Sequence, residues 1–273
     1  MKKIFLLLAT VLLFGCGEEV IDIDLTTVAP RLVIEASIDW QKGTSGNLQT
    51  IKLSTTTGFY DTVIPKVTGA NVFVTNSANT VFNFTEEIIP NSISGKYNCI
   101  NFIPVIGETY TLTIIYNGQT YNATEKLYAT PSITNVEQIN TLGINSDQIG
   151  IKVNFTDFAN EKNYYLTRIE SSFIPFPFYE TARDEFAPGN NIPTLYSNED
   201  LVAGSIVKIK NYGISETYYN FMNLVIGNVG ASGPFQTPPT RVKGNIINQT
   251  NASNYALGYF RLGEVEKLDY TIQ

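Results

Sequence analysis

The chain has 273 residues, with 25 Asp and Glu against 18 Lys and Arg, a net charge of −7 and no histidine. The missing imidazole excludes Ser-His-Asp triads, histidine metal sites and histidine proton shuttles together. An acidic chain without a basic cluster also argues against nucleic acid as a partner.

Met1-Lys2-Lys3 is a short basic start, Ile4 to Phe14 is apolar except for Thr10, and Gly15-Cys16 follows. That is the charged, apolar and small-residue order of a secretory signal. Eleven apolar-run residues rise about 16 Å as a helix, well short of the ~30 Å hydrocarbon core, so the run is not a membrane span. Leu13-Phe14-Gly15-Cys16 resembles a bacterial lipobox, although Phe14 is bulkier than the usual residue there. The resemblance implies a signal peptide over 1–15, a diacylated Cys16 and a tether over 16–29, which makes the membrane the first expected partner. Each buried CH₂ contributes roughly 0.8 kcal/mol, so several acyl chains anchor stably. Gly17-Glu18-Glu19 resembles the surface-export signal of Bacteroidota-type lipoproteins; its bland reading is a solvated linker. The expected location is the outer membrane, lipid-anchored at the cell surface, with the periplasm-facing leaflet as the alternative.

Removal of residues 1–15 takes away Lys2 and Lys3, leaving 258 residues at a net charge of −9, enough for two domains. With Cys16 acylated, Cys99 has no intramolecular partner, and a disulfide framework is not expected. In Lys96-Tyr97-Asn98-Cys99-Ile100, Tyr97 and Cys99 share one face of a strand, so a buried thiol is favoured over a nucleophile.

Val20 to Leu25 alternates enough for an edge strand, and from Pro30 onward the pattern is β. Leu32, Ile34 and Ala36 alternate with Val33, Glu35 and Ser37. Further strands read at 50–54, 70–76 and 80–85. Tyr110, Leu112 and Ile114 alternate with threonines and should face inward. Asn117-Gly118 then predicts a type I′ hairpin into 119–126. These strands, punctuated by Gly, Pro and Asn, predict an immunoglobulin-like sandwich over 30–130, with a boundary at Ala129-Thr130-Pro131.

The second domain, 131–273, reads as β-rich, with strands at 132–138, 148–155, 163–170, 205–210 and 255–262, and a last one near 268–272. A helix is predicted near 215–226. Ser215 can cap it, Glu216 suits its first turn, and Tyr218, Phe221, Met222 and Val225 form a core-facing stripe. The expected fold class is therefore all-β: two sandwich-like domains, the second carrying one inserted α-helix. No tandem period stands out, although the halves could share a topology.

Several stretches carry a resemblance to one family. They are Cys16-Gly-Glu-Glu with Ile21-Asp-Ile-Asp24, Arg31-Leu-Val-Ile-Glu-Ala-Ser-Ile38, Gly69-Ala-Asn-Val-Phe-Val74 and Gly107-Glu-Thr-Tyr-Thr-Leu112. Thr237-Pro-Pro-Thr-Arg-Val-Lys-Gly-Asn-Ile246 and Leu257-Gly-Tyr-Phe260 complete the set. The chain resembles domain-of-unknown-function family 4249 (DUF4249), lipoproteins of the Bacteroidota surface or outer membrane. The resemblance implies an accessory role beside a TonB-dependent outer-membrane transporter, handling a nutrient or peptide, and carries no catalytic residues. Locally, Pro238-Pro239 ends a loop and a strand can start at Val242, while Gly244 and Gly258 suit bends or close backbone approach.

The sequence offers little catalytic chemistry. Gly227 to Gly233 is glycine-rich but follows a helix and runs into Pro234, so it is no phosphate cradle. No calcium loop is present. Asp184-Glu185 and Glu199-Asp200 are adjacent carboxylates, and neighbours on a strand point apart, whereas a glycosidase needs two across ~5–10 Å. No catalytic residue, cofactor or metal is expected, and the protein is not expected to be an enzyme. Asp61-Thr62-Val63 resembles an O-glycosylation site of exported Bacteroidota proteins.

The most suggestive stretch is Phe173-Ile-Pro-Phe-Pro-Phe-Tyr179, in which Pro175 and Pro177 rule out a central strand. Phe173, Phe176, Phe178 and Tyr179 are the candidate binding residues if exposed, for a transporter, a peptide or a sugar; buried, they are irregular packing. The expected function is a non-catalytic binding accessory. The alternatives are an adhesin-like surface scaffold and a carboxylate-dependent hydrolase.

Overall fold

The computed structural model describes residues 29–58, 60–142, 148–159, 161–172, 174–184, 189–229 and 242–273. Cys16, the acidic pair, the 20–25 stretch, Phe173, Glu185 and Pro238-Pro239 lie outside the described residues. In chain order the first seven strands are β1 (Leu32–Gln41), β2 (Gln49–Thr55), β3 (Asn71–Asn76), β4 (Val81–Ile89), β5 (Ser92–Cys99), β6 (Thr109–Tyr116) and β7 (Gln119–Tyr128). Next come β8 (Ile133–Leu142), β9 (Gln148–Thr156), β10 (Tyr164–Ser171), β11 (Phe178–Arg183), β12 (Asn191–Ser197) and β13 (Ile206–Ile214). Helix α1 (Glu216–Val229), β14 (Ile247–Asn248) and β15 (Leu257–Thr271) complete the described elements.

The all-β expectation holds, and strand pairing shows why the halves look alike. In the first, β1-β2-β5 form one sheet and β4-β3-β6-β7 the other. In the second, β8-β9-β12 face β11-β10-β13-β15 in the same order of first, second and fifth strands against the rest. This is the immunoglobulin-like sandwich arrangement, built twice, with α1 and β14 inserted before the last strand of the second copy. β4 pairs with β3 through residues 81–84 and with β5 through 85–89, so it passes from one sheet to the other.

Local chemistry explains these elements. Ile34, Ala36 and Ile38 are fully buried while Glu35 and Ser37 are exposed, and Tyr110, Leu112 and Ile114 are fully buried, the period-2 pattern of a half-buried strand. Asn117 (φ 49°) and Gly118 (φ 70°) are both left-handed, as a type I′ turn requires. At the start of β6 the Tyr110 hydroxyl donates to the Ile103 carbonyl and accepts from the Val105 amide, both at 2.9 Å. This is the tyrosine corner of such sandwiches, and burial pushes the Tyr110 phenol up to about 12.

β15 departs most from expectation. The strands predicted at 255–262 and 268–272 are one continuous strand of 15 residues. Its first part runs parallel to β1, Val33 opposite Leu257 through Gln41 opposite Val265. Its last part closes the second sandwich, Tyr212 opposite Val265 through Ile206 opposite Thr271. The 130/131 boundary thus divides the sequence while β15 hydrogen-bonds to both sandwiches. At about 3.3 Å per residue it spans about 46 Å, from the pole where β1 begins (the near pole) to the pole where β13 begins (the far pole).

The helix predicted near 215–226 runs to Val229, capped as expected: Ser215 Oγ accepts from the Tyr218 amide at 3.1 Å. Tyr218 and Met222 are buried, with Phe221 half-buried against them. The strand expected from Val242 is absent; 242–246 is irregular and only Ile247–Asn248 pairs, with β7. Gly244 and Gly258 meet each other: a Cβ on Gly244 would lie 1.7 Å from the Gly258 carbonyl oxygen, an approach only glycine permits.

Candidate functional site

The 174–179 segment connects β10 to β11 at the far pole. Prolines 175 and 177 withhold two backbone donors, so β11 starts only at Phe178 and remains an edge strand. The aromatic residues then separate by position. Phe176 is 79% exposed. Phe178 packs between the sheets of the second sandwich, its ring 5.3 Å from that of Tyr196. Tyr179, next along the strand, points to the other face, towards the α1 cluster, with the Arg168 guanidinium 5.6 Å from its ring. Phe173 lies outside the described residues. Of the described candidates, Phe176 therefore meets solvent, Phe178 and Tyr179 are half-buried, and the three do not form one surface.

Beside the loop lies an open cleft of about 680 Å³, lined by Glu170, Ser171 and Ser172 at the end of β10 and by Val202 to Ile206 and Lys208 opposite. The 201–205 turn is fixed by backbone bonds, Ser205 N to Val202 O at 3.0 Å and Gly204 N to Ile272 O at 2.8 Å. Glu170 is held on the outer face by Arg168 and by Lys210 at 3.4 Å. Burial raises the Tyr196 phenol, so it stays protonated and neutral beneath the loop. The serine hydroxyls, the apolar Val202 and Ile206 and a carboxylate set among lysines suit recognition by hydrogen bonds and apolar contact. Sequence reading found the aromatic half and missed the serine-lined half, because Val202-Ala203-Gly204-Ser205 reads as an ordinary turn.

The remaining carboxylates do not converge. Asp184 is buried, whereas Glu199 and Asp200 are exposed on the turn after β12. Asp157 accepts from the Tyr165 hydroxyl and from the Gly189 amide at 3.1 Å, a loop-tying role. Among the described residues no group of three or more His, Cys, Asp or Glu could hold a metal ion. Thr62 is exposed on the loop between β2 and β3.

Comparison with known proteins adds a family and a fold likeness. The family model described as "Domain of unknown function (DUF4249)" matches residues 18–269. No curated protein matches the chain. Among solved structures, a cytokine receptor complex is similar over 69% of this chain and 86% of its own, with 6% identity and a TM-score of 0.28. A segment of two fibronectin type-III domains from chicken tenascin is similar over 67% of this chain and 90% of its own, with 11% identity and a TM-score of 0.21. The fold assignment itself rests on the strand order.

Proposed function

For a chain that belongs to the DUF4249 family, which has no assigned function, we propose a non-catalytic binding role in the cell envelope. The protein is anchored through a diacylated Cys16 in the outer membrane, exposed at the cell surface. It holds a peptide or sugar ligand, or a partner, at its far pole beside a TonB-dependent transporter. The observation that carries this reading is at the far pole, where Phe176 is 79% exposed on the β10–β11 connection and the end of β10 lines an open cleft with Ser171 and Ser172. An exposed aromatic beside a polar-rimmed cleft is the usual form of a binding hot spot. Among the described residues no helix is long and apolar enough to cross a membrane, and lipid attachment needs none.

The test is co-purification from outer-membrane extracts of wild type and Phe176→Ala, read by mass spectrometry. The proposal expects a TonB-dependent channel in comparable amounts with wild type and a marked loss with the variant. Equal recovery with both would remove the loop from the interface, and no channel with either would end the accessory role.

A further inference from the structure

The near pole exposes an apolar surface that the ligand-binding reading does not use. Register brings its parts together. Leu32 at the start of β1 faces Thr55 at the end of β2, Lys66 bridges to Ser54, and Ile88 faces Ile93 across the β4–β5 turn. Thr68 Oγ1 donates to Glu86 at 2.5 Å and the Gly69 amide donates to the same carboxylate at 2.9 Å, tying the 56–70 loop to β4. On this loop Val63 is 73% exposed and Ile64 is also exposed, and at the adjoining end of the β4–β5 hairpin Ile88 is 89% exposed, with Ile89 and Ile93 also exposed. Pro65 and Pro90 stand between them at the surface. Aliphatic side chains clustered at one pole, unlike single exposed ones, mark a contact surface for an apolar phase.

Chain entry identifies that phase. Ala29 and Pro30 lead into this pole, where the Arg31 amide donates to Thr56 Oγ1 and the Thr56 amide donates to the Arg31 carbonyl, both at 2.9 Å. The thirteen residue steps from Cys16 to Ala29 reach at most about 45 Å when extended, and the described chain starts at this pole, so an acylated Cys16 keeps this pole, ahead of the far one, nearest to the bilayer. Nearby charge is mixed, and Lys243 joins Arg31 over the Tyr255 ring at 4.5 Å. Lys96 pairs with Glu87 at 3.4 Å, Arg31 lies over the Tyr255 ring at 3.9 Å, and Lys66, Asp61 and Glu86 complete the surroundings. With an excess of one cation, attraction to anionic lipid contributes only about 1 kcal/mol and apolar contact is the driving term.

We propose that the near pole is a membrane-docking face, in which the tips of the 60–66 loop and the β4–β5 hairpin enter the lipid interface around Ile88 and Val63. The proposal rests on the anchored reading of Cys16. Insertion is shallow, within the ~5–10 Å headgroup and acyl boundary, and holds the second sandwich away from the bilayer.

The experiment uses the mature protein purified from membranes and reconstituted in phosphatidylcholine vesicles, some with brominated acyl chains. An environment-sensitive fluorophore is attached at Ile88→Cys, or at Val202→Cys on the far pole; Cys99 is buried. The expected result is a blue shift and several-fold stronger bromine quenching at position 88 than at 202, persisting in high salt. Acylated Cys16 by peptide mass with a position-88 probe that stays in water overturns docking alone. Unmodified Cys16 overturns the anchor and the docking together. A shielded probe without lipid quenching, in a protein that sediments as a dimer, overturns lipid in favour of a second copy of the chain.

Discussion

Arg261 of β15 and Asp39 of β1 approach to 2.7 Å at the seam between the two sandwiches, with the guanidinium enclosed by the rings of Tyr212 at 4.7 Å and Tyr218 at 5.4 Å. The Arg261 side chain is buried, and Asp39 is the counter-charge placed beside it. A buried cation is costly unless paired, so removing the partner costs more than the pair itself contributes. Asp39→Asn should lower stability by about 3 kcal/mol, the low end for a buried pair because Asp39 is partly exposed. Adding Arg261→Met should restore part of that loss. Urea denaturation of the single and double variants checks both, and equal losses in the two would show that packing of the guanidinium outweighs its charge.

Phe176 and Phe178 should separate cleanly in a stability assay. Phe176→Ala removes an exposed ring and should leave the melting temperature nearly unchanged, within about 0.5 kcal/mol. Phe178→Ala opens space beside Tyr196 and should cost about 2 kcal/mol, below the range for fully buried rings. Differential scanning calorimetry reads both, and a double variant cannot serve as a pure binding probe.

The Tyr110 corner gives a third test. Tyr110→Phe keeps the ring but leaves the Val105 amide and Ile103 carbonyl without their partner. A loss of about 1–3 kcal/mol is expected, the cost of unsatisfied buried groups. A smaller effect would mean that water reaches both groups in the variant.

Cys99 should be inert in the folded protein. Its sulfur is buried, donates to Asn101 Oδ1 at 3.2 Å, and burial raises its pKa, which lowers the reactive thiolate fraction at any given pH. Alkylation should be slower than in the urea-unfolded chain by on the order of a hundredfold or more, the effect of about 3 kcal/mol of opening energy. Rapid modification under native conditions would mean that the end of β5 opens locally.

Much of this was legible in the sequence, for identifiable reasons. Alternation at Tyr110, Leu112 and Ile114, the Asn117-Gly118 turn and the Ser215 cap are local signals, read from a few neighbouring residues. β15 was not legible as one strand, because its surroundings change along its length. From Tyr259 to Val265 every residue is buried at the seam, and from Glu266 onward exposure returns. No single period describes a strand that changes partners midway. The aromatic loop was visible as a composition, but which rings face solvent depends on where β11 begins. The near-pole aliphatics belong to a loop and a hairpin end separated in sequence and become a surface only when β2, β4 and β5 assemble.

The continuity of β15 also bears on how the molecule carries load. If the far pole is drawn away while the near pole stays fixed, tension runs along β15. It loads the β1 and β13 ladders along the strand axis, so many hydrogen bonds resist together instead of opening one by one. The two sandwiches would then transmit force as one stiff element, because β15 bridges them in parallel with the 129–132 connection.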